Sequence, residues 1–184
     1  MKSTTQRLTF TAVMLSLSTV LSMIPAIQLP FGGKATFLSM LPVMLIAIRY
    51  DMRWAVFSTF AYSLIQLALS LPKVLSWGLT PVVLIGCIFL DYILPYTFLF
   101  VAGIFRKSKS GIIVGVALAL VVRFLFHFLS GIILWDSLAD NGLACVLGSL
   151  TYNGSYMLPE LIFTLVATVL LLSSSQTRKL FFEK

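Results

Sequence analysis

From Gly111 to Trp135 the chain runs for twenty-five residues with one formal charge, Arg123, and its only histidine, His127. An α-helix needs about 20 apolar residues to cross a bilayer, and a spanning segment must satisfy its backbone internally, so this stretch reads as a transmembrane helix. That reading makes Arg123 expensive. A central Arg costs about 3 kcal/mol on insertion scales, so it needs a partner and marks a candidate functional site. Gly131 and Trp135 continue the four-residue interval from Arg123 to His127. A cation, an imidazole, a position without bulk and an indole therefore line one helical stripe, suited to a polar, ring-bearing ligand.

The remaining chain extends the same pattern. At 59% hydrophobic, 10% charged and mean hydropathy +1.03, its 184 residues hold too little polar surface for a soluble globule. One all-α, polytopic membrane domain spanning 1–184 is expected. A net charge of +7 would suggest nucleic acid in a soluble protein, but here the cations sit in short loops and report topology, so no nucleic-acid partner is implied. Cys87 and Cys145 form no CxxC pair and are read as inert buried thiols.

Six spans are predicted: Leu8 to Ile24, Phe37 to Ile48 with Pro42 inside, Trp54 to Leu71, Pro81 to about Gly103, Gly111 to Trp135, and a run entered through Thr151–Glu160 that ends near Leu172. The first is a helix rather than a signal peptide, since no A-x-A cleavage pattern follows it. Pro25 to Thr36 holds Pro25, Pro30, Gly32 and Gly33, an irregular stretch able to close over a site as a lid or to serve as a plain connector. Lys73 to Gly78 and Asp136 to Leu150 are read as further connections. Ten of the 13 Lys and Arg fall in the N-terminal arm, the second and fourth connections and the tail, against Lys34 and Lys73 in the opposite loops. The positive-inside rule then puts both termini in the cytoplasm.

With that topology, Asp91-Tyr92, Tyr152-Asn153, Tyr156 and Glu160 lie in the outer half of the membrane or near its midplane, with Arg123 and His127. Convergent carboxylate, amide, imidazole and phenol groups make a directional pocket in a dry environment. Asp91 and Asn153 are the expected partners of Arg123. The plainer alternative is a satisfied core histidine, an Arg123–Asp91 pair and an interfacial tryptophan. Glu160 stays open between helix capping, a contact with a neighbour and a ligand contact. On the first helix Ala12 and Ser16 form a small-xxx-small pair that fits either internal packing or another subunit. There is no G-x-x-x-x-G-K-[ST], H-E-x-x-H or G-x-S-x-G, and one histidine cannot build a multi-His metal site, so neither an enzyme nor a cofactor is expected. A proton relay through Asp91, Arg123 and His127 is the competing mechanism, though the chain is short for a transporter built of paired repeats.

Leu90-Asp91-Tyr92, the run from Arg123 through His127 to Ser130-Gly131, and Ser149-Leu150-Thr151-Tyr152-Asn153 with Tyr156-Met157 and Pro159 resemble the thiamine-specific substrate-binding subunits (S components, ThiT/YuaJ type) of energy-coupling factor transporters. The resemblance covers nearly the whole chain. It implies a six-helix S component in the cell membrane that captures thiamine from outside. A transmembrane coupling protein and two ATPase subunits then drive uptake. Ala12-x-x-x-Ser16 resembles the family's A-x-x-x-A contact with the coupling protein. The implied ligand-binding residues are Asp91, Tyr92, Arg123, His127, Gly131, Trp135, Ser149, Tyr152, Asn153 and Tyr156. Trp135 would stack on the aminopyrimidine, while Asp91, Arg123 and Asn153 pair its nitrogens and Asp91 offsets the thiazolium charge. This chain departs from some members in having Asp91 for Glu, Arg123 for Lys, Gly148 for a pocket tyrosine, and Gly33-Lys34 where a second tryptophan stands. A lysine beside a thiazolium is unfavourable, so Lys34 must point away or the ligand must differ. The alternatives are an S component for a thiamine precursor and an autonomous proton-coupled transporter.

Overall fold

A computed structural model describes residues 4–29, 33–135 and 142–181. Pro30 and Gly32 of the predicted lid, Asp136 of the predicted outer connection, and Lys2 and Lys184 lie outside the described residues. Helix α1 is Thr4–Ser22, followed by strands β1 (Pro25–Gln28) and β2 (Lys34–Thr36). Helices α2 (Leu41–Arg49) and α3 (Met52–Leu75) precede α4, the span Pro81–Gly103. Helix α5 is Lys109–Leu134, α6 is Gly142–Ser173 and α7 is Ser175–Phe181.

Among the described residues four helices, α3 to α6, are long and apolar enough to cross a membrane. Helix α2 differs: at nine residues it extends only about 14 Å, roughly half a hydrocarbon core. Every residue from Leu41 to Ile48 is buried, as an all-round apolar helix requires. It forms the centre of the main core, with Met44, Leu45 and Ile48 packed among Tyr62, Tyr96, Leu99 and Val116. The predicted second segment loses its first turn because Leu38 takes a left-handed conformation, φ 62°, which swings the chain from β2 into α2.

The predicted irregular loop is a β-hairpin. Strands β1 and β2 pair antiparallel, Gln28 opposite Lys34 and Pro25 opposite Thr36, with a bulge between Pro25 and Ile27. The predicted polar connection reaching Leu150 is corrected: α6 is helical from Gly142. Its signal was present in Leu143, Val146, Leu147 and Leu150, spaced by three and four, and all four are exposed on the helix surface.

At the opposite end of the bundle Asp51 caps α3 by accepting from Trp54 N–H at 3.1 Å, and it pairs with Arg7 of α1 at 2.9 Å. The Trp54 bond, ahead of Arg7, holds the Asp51 carboxyl below its usual pKa. Asp51→Ala is expected to lower stability by about 1 kcal/mol, mostly through the lost cap, because an exposed ion pair adds little. The depressed pKa fixes the sign of the pH dependence. This contribution is complete above the ordinary carboxyl pKa and disappears as pH falls through the lowered value. Thermal unfolding of Asp51→Ala and native protein across acidic pH checks both points; parallel curves would refute the carboxylate's role.

Candidate functional site

The site is built where α4, α5 and α6 meet. Helices α5 and α6 run antiparallel, so positions rising along one meet positions falling along the other. Gly131 faces Ser149, His127 faces Asn153, and Arg123 faces Glu160. A Cβ at Gly131 would collide with the Ser149 hydroxyl. The glycine therefore seats Ser149, whose Oγ donates to the Phe128 carbonyl at 2.8 Å. The sequence pattern marked Gly131 as a gap; Ser149 is what enters it.

Asp91 is presented by an altered helix. Residues Ile88–Ile93 form a π-helical turn, with Leu94 N–H donating to the Phe89 carbonyl five residues back. Pro95, four residues beyond Asp91, has no N–H to return to the Asp91 carbonyl, which accounts for the local change of pitch. Such turns recur at functional sites because they re-aim one side chain. Here Asp91 Oδ1 meets His127 Nδ1 at 3.0 Å, and Asp91 Oδ2 accepts from Ser130 Oγ at 2.7 Å.

Asn153 extends the cluster, donating through Nδ2 to the Ser149 carbonyl at 3.0 Å and the His127 carbonyl at 3.3 Å. Its Oδ1 accepts from the Tyr156 hydroxyl at 2.7 Å. Tyr152 packs edge-on against Tyr156, and its hydroxyl accepts from Gly33 N–H at 2.9 Å. A Cβ at Gly33 would meet the Tyr152 hydroxyl at 2.7 Å and the Tyr156 ring at 3.0 Å, so the glycine lets the hairpin lie directly on the two phenols.

Arg123 has a different partner from the expected Asp91 and Asn153. Its Nη1 meets Glu160 Oε2 at 3.0 Å, with side chains only 5% and 1% exposed. Glu160 Oε1 accepts from Thr36 Oγ1 at 2.8 Å and Ser39 Oγ at 3.4 Å, tying the base of the hairpin to α6. The guanidinium also lies over the Tyr96 ring, 5.3 Å from its centroid. Glu160 thus makes a neighbour contact.

The remaining candidates sit at the edges. Trp135, ending α5, packs edge-on against Trp77 at 5.7 Å. Tyr92 packs against the main core. Gly148 faces open space. Lys34 donates from Nζ to the Ser22 carbonyl at 2.8 Å, placing its charge at the negative C-terminal end of α1. Burial, then the Arg123 charge, lower its pKa, while Glu160 opposes them. Ala12 and Ser16 are exposed on α1. No site role was legible in the sequence for Trp77, Tyr96 or the Thr36–Ser39 pair, and Ser130 entered only through the resemblance. Only Pro95, beyond Asp91, gave a local signal of the turn.

Two donor or acceptor groups at the centre remain open. His127 Nε2 and Arg123 Nε are buried with no hydrogen-bond partner among the described residues. Left so, each costs desolvation free energy that a polar ligand would recover.

Apolar membrane-length helices around a buried carboxylate, imidazole, amide and phenol cluster define a multi-pass membrane protein with a polar cluster among its helices. Comparison with known proteins makes the class specific: the chain belongs to the thiamine transporter protein family, whose model matches residues 8–180. It is 27% identical over 180 residues to the thiamine transporter ThiT of Bacillus subtilis, covering 90% of this chain and 89% of that one. The solved structure of ThiT from Listeria monocytogenes matches with a TM-score of 0.64 at 25% identity, over 93% of this chain and 96% of that chain. The family is one of transporters rather than enzymes.

Proposed function

We propose that this protein captures thiamine beneath the hairpin and serves as the S component of an energy-coupling factor importer. The observation that carries the reading is the Asp91–His127–Ser130 cluster with His127 Nε2 left open, in a chain of the thiamine transporter family. His127 Nε2 and Asn153 suit an aminopyrimidine edge. Asp91 supplies a counter-charge for the thiazolium, and the Trp77–Trp135 pair offers aromatic surface for either ring. Lys34 is held at the end of α1, which keeps its ammonium engaged away from a cationic ring.

In this reading the chain passes the membrane six times, α1 and the short α2 completing the count, with both termini cytoplasmic. The concentration of Lys and Arg at the end carrying Arg7 supports that orientation. The exposed Ala12 and Ser16 receive the transmembrane coupling protein, and two ATPase subunits supply the energy.

Titration of the purified protein with thiamine is expected to quench tryptophan fluorescence through Trp77 and Trp135 and to raise the unfolding temperature. A silent titration with no thermal shift would refute thiamine binding. Ala12→Leu or Ser16→Leu is expected to abolish uptake while leaving binding intact; loss of binding as well would assign that face to the core. The Asp91–His127 pair also suits a proton relay in an autonomous transporter. Uptake that persists without any ATPase would favour that second reading.

A further inference from the structure

The turn between α4 and α5 carries a feature that the ligand site does not use. Ile104, Phe105, Lys107, Ser108, Ser110 and Val114 help line an outward-facing cleft of about 500 Å³. Its wall is apolar and uncovered, with Ile104 47%, Phe105 46% and Val114 54% exposed. Lys107 contributes a cation to its lining, Arg106 and Lys109 flank it in the sequence, and 104–114 contains no Asp or Glu. Arg106 has a buried Nη1 with no hydrogen-bond partner among the described residues. Ser108 Oγ caps α5 by accepting from Gly111 N–H at 3.0 Å, and its own proton is left to donate.

We propose that this cleft binds an anionic phospholipid, its phosphate on Lys107 and the Ser108 and Ser110 hydroxyls and one acyl chain along Ile104, Phe105 and Val114. Charge selects the ligand class. Among the described residues this end of the bundle presents eight Lys and Arg against one carboxylate, Asp51, which Arg7 already engages. The apolar wall selects the source, because a free phosphate gains nothing from it while a lipid buries it. The cleft also lies where α5 enters its apolar span, the level at which headgroup gives way to hydrocarbon. A second cleft of about 450 Å³, beneath Arg53 along Val56, Phe57 and Phe60, has one cation and no hydroxyl.

The test uses the full-length protein in mild detergent, with dioleoyl phosphatidylglycerol, dioleoyl phosphatidylcholine and inorganic phosphate as separate probes. Native mass spectrometry should show retention of phosphatidylglycerol well above phosphatidylcholine, and only phosphatidylglycerol should raise the unfolding temperature. Each cation near an anionic headgroup contributes about fivefold, so Lys107→Gln with Lys109→Gln should weaken retention about 25-fold. Lys73→Gln, at the opposite end, should leave it unchanged. Equal retention of both lipids, or stabilisation by phosphate alone, overturns the lipid assignment, and unchanged retention in the double variant overturns the location. Should that variant not fold, a photoreactive phosphatidylglycerol on the unaltered protein decides. Labelling within 104–114 supports the cleft, and labelling confined elsewhere refutes it.

Discussion

Glu160→Gln is expected to destabilise the protein by about 3–5 kcal/mol, a large fraction of the stability of a domain this size. The carboxylate is the partner of a guanidinium that cannot shed its proton, and both side chains are almost wholly buried. Glutamine keeps a carbonyl oxygen for Thr36 but removes the charge, leaving Arg123 as an uncompensated ion among apolar side chains. The effect should reach the hairpin as well, since Glu160 Oε1 holds Thr36 and Ser39 at its base. Removing both ions is a different matter. Arg123→Met with Glu160→Met exchanges the pair for apolar volume, which is often neutral, so the double variant should recover most of the loss. Chemical or thermal unfolding of Arg123→Met, Glu160→Met and the double variant in detergent, beside Glu160→Gln, measures the coupling. A Glu160→Gln midpoint equal to that of the native protein would show that the pair does not carry the charge balance assigned to it.

That pairing shows where the sequence was legible and where it was not. The burial cost of an arginine in an apolar run depends on one helix alone, so Arg123 could be marked as needing a partner. Which partner it takes depends on the axial level and rotation of α4 and α6 relative to α5, and single-helix periodicity does not contain those quantities. The π-helical turn at Ile88–Ile93 changes the direction of Asp91 and delivers it to His127 and Ser130. Glu160, seven residues beyond Asn153 on α6, meets Arg123. The same limit applies to Gly131, whose lack of a side chain was visible although the Ser149 hydroxyl that fills the space belongs to another helix. Long apolar spans were read correctly as helices because length and hydropathy are local properties. The limits of the nine-residue α2 and the pairing within the hairpin were not legible, because Leu38 and a two-stranded pairing across residues 25–36 set them, and neither has a periodic signal.

Asp91→Asn is expected to weaken thiamine binding about 10- to 150-fold, from the roughly 1.5–3 kcal/mol carried by hydrogen bonds to a charged group. Stability should fall far less than in Glu160→Gln. Asparagine keeps the shape, its oxygen can still accept from Ser130, and the Asp91 side chain is 18% exposed against 1% for Glu160. The size of the binding loss has two possible sources: the lost counter-charge for a thiazolium, and the lost hold on His127 that keeps Nε2 directed to the ligand. A neutral ligand separates them. The isolated aminopyrimidine half of thiamine has no permanent charge, so if Asp91 acts as counter-ion, Asp91→Asn should reduce thiamine affinity and change the affinity of the half-molecule by less than about threefold, under 0.7 kcal/mol. If the carboxylate instead orients His127, both ligands should weaken together, and His127→Asn should then cost Asp91→Asn protein almost nothing more. Calorimetric titration of both ligands against the native protein, the two single variants and the double variant assigns the carboxylate to one role. Unchanged binding of both ligands in Asp91→Asn would remove Asp91 from the site.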